Sequence, residues 1–289
     1  MELYVRRAEA FLQLGDFQSA AVNLQKACSG SDPSGEHIEL LATTYYLQGQ
    51  SLLEQKCPMD AMECFTRAAE LQPQNRHYRM HSICCLAALG RYAECLGLLN
   101  KQLEEEGGNP DLYIVRARLY DHLNKTTLTY QDTQRALFLD PQHQEAIKMK
   151  AKLVAKAEEA KDKAVNCAVQ GQLHDALQKI SYAIENNPSA GGYHIFRGIV
   201  YRKMQDFSPA VEDFVQAMQL CNADGVPDLQ LHWEAEKQLI LTYNDFAVHC
   251  YMKGFYRDGV LLLNKALKGE KTKKELYMNR GDCFLRLGR

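Results

Sequence analysis

One turn followed by one short helix recurs along this chain, and its spacing limits the fold more than any other feature. The stretches LQLGDFQSAAVNLQKA (12–27), LAALGRYAECLGLLNKQ (86–102), AVQGQLHDALQKISYA (168–183), RKMQDFSPAVEDFVQA (202–217) and YMKGFYRDGVLLLNKA (251–266) share one pattern. A turn residue is followed two places on by an aromatic or a leucine, then by a small residue, an apolar one and, in most copies, an alanine. With Met1 as position one, repeats of 34 residues cover 1–34, 42–75, 76–109, 110–143, 157–190, 191–224 and 240–273, with a partial eighth at 274–289. Insertions fill 35–41, 144–156 and 225–239. A period of this size implies one helix–turn–helix unit per repeat, and such a unit buries its apolar face only by stacking on its neighbours.

The recurring letters have physical reasons. Position eight is Ala8, Gly49, Ser82 or its neighbour Ile83, Ala117, Ala164, Gly198, Ala247 and Gly281, and position twenty is Ala20, Ala61, Cys95, Thr129, Ala176, Ala210 and Gly259. Small residues at these places let paired helices approach, where a larger side chain would overpack. Position 27 is alanine in every full repeat except the third, which has Gln102. Pro73, Pro141 and Pro188 close three of the second helices, because proline cannot continue one. Position four holds Tyr4, Tyr45, Tyr113, Tyr243 and Tyr277 as wedges between neighbours.

This pattern resembles the tetratricopeptide repeat family over nearly the whole chain, insertions aside. It departs from the family in lacking tryptophan at position four, in weak third and fourth repeats, and in Gly259 for alanine. The resemblance implies an all-α fold, a right-handed superhelix (α-solenoid) of stacked helix–turn–helix pairs forming a single array. It also implies a concave surface made by positions two, five, six and nine of the first helices. The carboxylate clamp that some members use for chaperone C-termini fits no register here: the first repeat offers Val5 and Glu9, the fifth Lys161 and Val165, followed by Phe196 and Leu241. A chaperone partner of that kind is not expected.

Apolar residues occupy those positions instead. Tyr46 and Leu47, Met80 with His81, and Ile114 with Val115 serve the earlier repeats, and Ile195, Phe196, Ile199 and Met278 the later ones. Asn244, Asp245 and Asn279 add a polar patch, and Arg118 and Lys161 stand as isolated charges. An apolar groove with polar ends suits an amphipathic helix or an extended peptide. The expected function is a non-catalytic protein-interaction scaffold. The alternatives are a permanent structural subunit of a ciliary or cytoskeletal assembly and a targeting subunit of an enzyme complex.

Other constellations carry less. In LTYNDFAVHCYM, Asp245 and His249 share a helix face beside Cys250, but no oxyanion donor or orienting third group accompanies them. His77, His81 and Cys84 line one face at spacing i, i+4, i+7. Three ligands on one helix cannot surround a zinc ion without a fourth from elsewhere. Lys148, Lys152 and Lys156 form a stripe without the aromatics that interleave with bases in nucleic-acid grooves. No phosphate-binding loop, dinucleotide fingerprint or H-E-x-x-H occurs, so neither catalytic residues nor a cofactor is expected. Net charge is −2, which advertises neither nucleic acid nor an anionic membrane. The opening MELYVRRAEAF has no apolar core of a signal peptide, and the longest apolar run, ICCLAAL, is too short to span a bilayer. Ten cysteines without a C-x-x-C pair read as reduced thiols, which points to a cytoplasmic address, with cilium or cytoskeleton as narrower alternatives.

Each insertion runs into a first helix without a breaker, so those three helices should be extended, the last from about 228 to 253. Pro227 and Asp228 suit the first turn of that helix. Trp233 rides on it, either as a contact anchor or packed on the sixth repeat. Residues 274–289 supply only a first helix, and the array is expected to continue beyond Arg289.

Overall fold

The computed structural model describes residues 2–29, 35–221 and 228–288. Fifteen α-helices and no strand are found among them. The chain packs as two units, 1–123 and 124–289. The first contains α1 (Glu2–Gln13), α2 (Phe17–Cys28), α3 (Gly35–Glu54), α4 (Pro58–Leu71), α5 (Arg76–Ala88), α6 (Tyr92–Glu105) and α7 (Pro110–His122). The second contains α8 (Thr126–Leu139), α9 (Gln144–Val169), α10 (Leu173–Asn186), α11 (Gly191–Lys203), α12 (Phe207–Leu220), α13 (Leu229–Met252), α14 (Tyr256–Gly269) and α15 (Lys274–Arg286). Within each unit, successive helices pack antiparallel against their neighbours in chain order.

Helix starts and stops follow from local chemistry. Asp16, Asn75, Asn109 and Asp228 accept from backbone N–H groups of α2, α5, α7 and α13, satisfying donors that the first turn leaves open. Asp228 therefore stands at the cap rather than in the first turn, and Pro227 lies outside the described residues. At the other end, the cap N–H groups of Gln72, Asp140, Asn187 and Glu270 donate to the carbonyls of Ala68, Ala136, Ala183 and Ala266. All four acceptors are position-27 alanines. α3, α9 and α13 have 20, 26 and 24 residues, against 12–14 for the others.

The turn inside each repeat reverses direction through one residue with positive φ, always at position fifteen. Glycine supplies it at Gly15, Gly90, Gly171, Gly254 and Gly288, whereas Lys56, Asn124 and Gln205 adopt it with φ of 59°, 55° and 63°. An L-residue in this region costs about 1–2 kcal/mol, partly offset by the greater unfolded-state freedom of glycine. Gln205→Gly and Lys56→Gly should each raise stability by about 0.5–1 kcal/mol in urea denaturation. No gain in either would show that neighbouring contacts already hold the turn.

Small residues sit where helices meet. Ala8, Ala20, Ala61, Cys95, Ala117, Thr129, Ala164, Ala176 and Ala210 have no exposed surface. A Cβ added at Gly49 would lie 2.7 Å from the Phe65 ring, and one at Gly198 would lie 2.7 Å from Phe214. The third repeat breaks the rule three times. Ile83, fully buried, occupies position eight, Arg79 replaces the wedge tyrosine, and Gln102 replaces alanine. The α5–α6 pair packs less closely than α3 with α4 or α9 with α10.

Candidate protein-binding face

Polar contacts tie successive first helices together at a spacing of 35 residues, one position further along in the next repeat. In the first unit, the Tyr46 hydroxyl lies 3.5 Å from His81 Nε2 and Thr43 Oγ1 lies 3.4 Å from the Tyr78 hydroxyl. In the second, Asn279 Nδ2 donates to Asn244 Oδ1 at 2.8 Å and Arg286 Nε to the Tyr251 hydroxyl at 3.1 Å. A second ladder, spaced by 16, joins position seven to position 25 of the preceding repeat. It comprises Thr66 with Ser82 at 3.2 Å, Arg116 to Asn100 at 2.8 Å, Arg197 to Ser181 at 3.5 Å and Arg280 to Asn264 at 2.8 Å. Both ladders fix the rotation of one repeat on the next, and so decide which side chains remain on the first-helix face.

In the first unit, stacking absorbs much of the apolar material expected on that face. Ile114 is buried, while Tyr46, Leu47, Met80, His81 and Val115 are half-buried and Arg118 is exposed. The Tyr46 ring packs on Phe65, Tyr78 and His81 with centroids 5.1–5.7 Å apart. His81 is part of this aromatic group: its Nδ1 lies 2.8 Å from the carbonyl of His77. His77 and Cys84 point to solvent, and among the described residues no group of three His, Cys, Asp or Glu could hold a metal.

The second unit keeps more of the face open. Ile195 is buried and Phe196 and Ile199 half-buried: Ile195 and Ile199 pack in the core of their own repeat, and Phe196 against that of the preceding one. Asn244 and Asn279 are half-buried in their mutual hydrogen bond, whereas Asp245 and Met278 are exposed. Sequence reasoning missed Val169, Met252 and Leu285, exposed by 83%, 80% and 75%, beside Met278 at 68%. The signal was present: Met252 follows Val248 by four and Asp245 by seven, so helical periodicity carries the same face to position thirteen. Two of the charges on the first helices are paired. Lys161, expected to be isolated, meets Glu158 at 3.3 Å, and Arg202 approaches Asp245 at 3.8 Å.

The acid–histidine pair of α13 is not assembled. Asp245 turns to Arg202, and the His249 ring packs edge-on against Phe207 at 5.6 Å. Burial raises the Cys250 thiol, and it pushes Cys85 and Cys95 up to about 11, where no thiolate forms near neutrality. No cysteine among the described residues is bonded to another. Trp233 is 60% exposed with the Lys237 ammonium 4.9 Å over its ring, while Leu231 of the same helix packs on Gly191. The lysine stripe of α9 is an ordinary solvated face, with Lys148 bonded to Glu145 at 3.1 Å. Among the described residues, no helix is long and apolar enough to cross a membrane.

Stacked antiparallel helix pairs on a repeated small-residue frame make this chain a tetratricopeptide-repeat α-solenoid. Over its full length it is 48% identical to Tetratricopeptide repeat protein 16 of Macaca fascicularis and of Homo sapiens, and 47% identical to that of Mus musculus. It covers 33%, 33% and 37% of those proteins, so it spans about a third of the length of the curated relatives it matches. No family model matches the chain. A solved tetratricopeptide repeat protein from Parabacteroides merdae overlays at a TM-score of 0.39 and 16% identity, over 98% of each chain.

Proposed function

We propose that this chain is a non-catalytic interaction scaffold that takes a helix or extended peptide of a protein partner on the first-helix face of its second unit. The observation that carries this reading is the set of exposed apolar side chains Val248, Met252, Met278 and Leu285 on α13 and α15, two first helices in contact. Methionine is flexible and polarisable, so two of them in this set adapt to an apolar surface without fixing its shape. The partner presents apolar residues at i, i+3, i+4 and i+7, or at alternate positions of an extended segment.

The test is a displayed peptide library panned against the chain, followed by affinities of enriched peptides. Peptides with apolar residues at one of those spacings are expected. Met252→Asp with Met278→Asp should weaken them at least tenfold, about 1.4 kcal/mol, while leaving the melting curve in place. A chaperone-type C-terminal carboxylate peptide serves as the negative control. Enriched peptides that bind the double variant equally well would overturn the proposal.

A further inference from the structure

α13 starts well before the helix stacked beside it. Its bonds to α15, Asn279 to Asn244 and Arg286 to Tyr251, share an offset of 35, so these two first helices run parallel and in one register. Lys274, where α15 begins, then stands level with Leu239. Residues 229–238 of α13 overhang that start by about 15 Å, at 1.5 Å per residue.

Helical phase decides what the overhang presents. Trp233, Lys237, Ile240 and Asn244 are spaced i, i+4, i+7 and i+11 and share one face. Asn244 meets α15, and Ile240 lies with Glu236 against Gly269 at the end of α14. Trp233 therefore looks out over the turn from α14 to α15. It is 60% exposed there, and Leu229, one helical turn earlier, 76%. Leu231, Ala235 and Leu239, on the other side of α13, pack on the sixth repeat.

The floor of this step is basic. Residues 265–274 contain five lysines and one glutamate. Glu270 is already engaged by Thr272, whose N–H donates to it at 2.9 Å. Lys268, Lys271 and Lys274 are exposed and form no ion pair among the described residues. The Tyr277 hydroxyl holds the turn by donating to the Lys271 carbonyl at 3.1 Å. α9 has an overhang too, but Lys150 stands there where α13 has Trp233, and the corresponding turn, 187–190, has no lysine.

We infer that this step receives an acidic amphipathic helix of another protein, lying where a longer α15 would lie. α15 has 13 residues against the 24 of α13, which leaves a helix-wide gap beside the overhang. The apolar face of the incoming helix covers Leu229 and Trp233, and its carboxylates meet the unpaired lysines of the turn. A lipid bilayer is too flat to reach the inner corner where wall and floor meet.

The test titrates the chain 1–289 with a capped helix-forming peptide of about four turns, with leucines at i, i+3, i+4 and i+7 and glutamates elsewhere. Trp233 is the single tryptophan, so its fluorescence reads this site directly. A saturable blue shift is expected, and raising the salt from about 0.05 to about 0.3 M should weaken binding about fivefold or more. Lys271→Glu with Lys274→Glu should weaken it about tenfold or more while keeping the helical circular dichroism of the parent. Met252→Asp, about 28 Å further along α13, should leave it unchanged. The inference fails if the emission does not shift, or if the same peptide with glutamine for glutamate binds as well. It fails equally if reversing the two lysines has no effect or if Met252→Asp weakens binding. Tighter binding of phosphatidylserine vesicles or of a DNA duplex than of the peptide would give the step to a membrane or to nucleic acid, and would overturn it too.

Discussion

Asp213→Ala is expected to destabilise the second unit by about 3–5 kcal/mol, the range for removing one member of a buried ion pair. The Asp213 side chain is 5% exposed and accepts from Arg197 Nε at 2.8 Å and Nη2 at 2.7 Å, with His194 Nδ1 at 3.1 Å. Without the carboxylate, Arg197 retains only a 3.5 Å contact to the Ser181 hydroxyl, and its partly buried charge has no counterpart. Burial raises the Asp213 carboxyl, but the hydrogen bonds from His194 and Arg197 and their charges outweigh it, leaving the group below its ordinary 3.8. The sign follows: this contribution is complete above the ordinary carboxylate value and is lost as pH falls through the lowered one. Urea titrations of parent and variant should therefore differ most above pH 4 and converge in stronger acid. A loss below about 1 kcal/mol at neutral pH would mean that Arg197 swings into solvent and the cluster is dispensable.

Alanine at position eight should have opposite effects in two repeats. Gly198→Ala places a methyl 2.7 Å from the Phe214 ring and 3.2 Å from the Ala210 carbonyl, so α11 and α12 must part, at about 1–3 kcal/mol. At Gly281 an added Cβ meets nothing within 4 Å, and Gly281→Ala should gain about 0.5–1 kcal/mol from helix propensity alone. Denaturation of the two single variants decides the matter. Shifts of the same sign would show that propensity, rather than the approach of α11 to α12, governs this position.

These contrasts indicate what a single sequence makes legible. The small positions, the turns and the lengthened α3, α9 and α13 all depend on chemistry local to one repeat, and periodicity exposes them. The polar ladders do not, because Arg116 and Asn100, or Asn279 and Asn244, lie in different repeats and nothing in either one names its mate. Burial on the first-helix face is hidden for the same reason. Ile114 and Ile195 share the phase of groove residues, yet the adjoining helix covers them. His194 stands where other repeats have tyrosine, and its role appears only once α12 brings Asp213 beside it.

Every substantial helix contact within a unit joins helices one or two places apart in chain order. Such a chain has no keystone. Strain introduced at one junction is felt by the adjacent helices and fades beyond them, so a lesion has an address. Amide protons of α11 and α12 should exchange early in the Asp213 variant, while those of α14, further along the same unit, keep their pace. The same short reach lets the long α3, α9 and α13 project extra turns without disturbing the register of distant repeats, leaving room for each to diverge on its own.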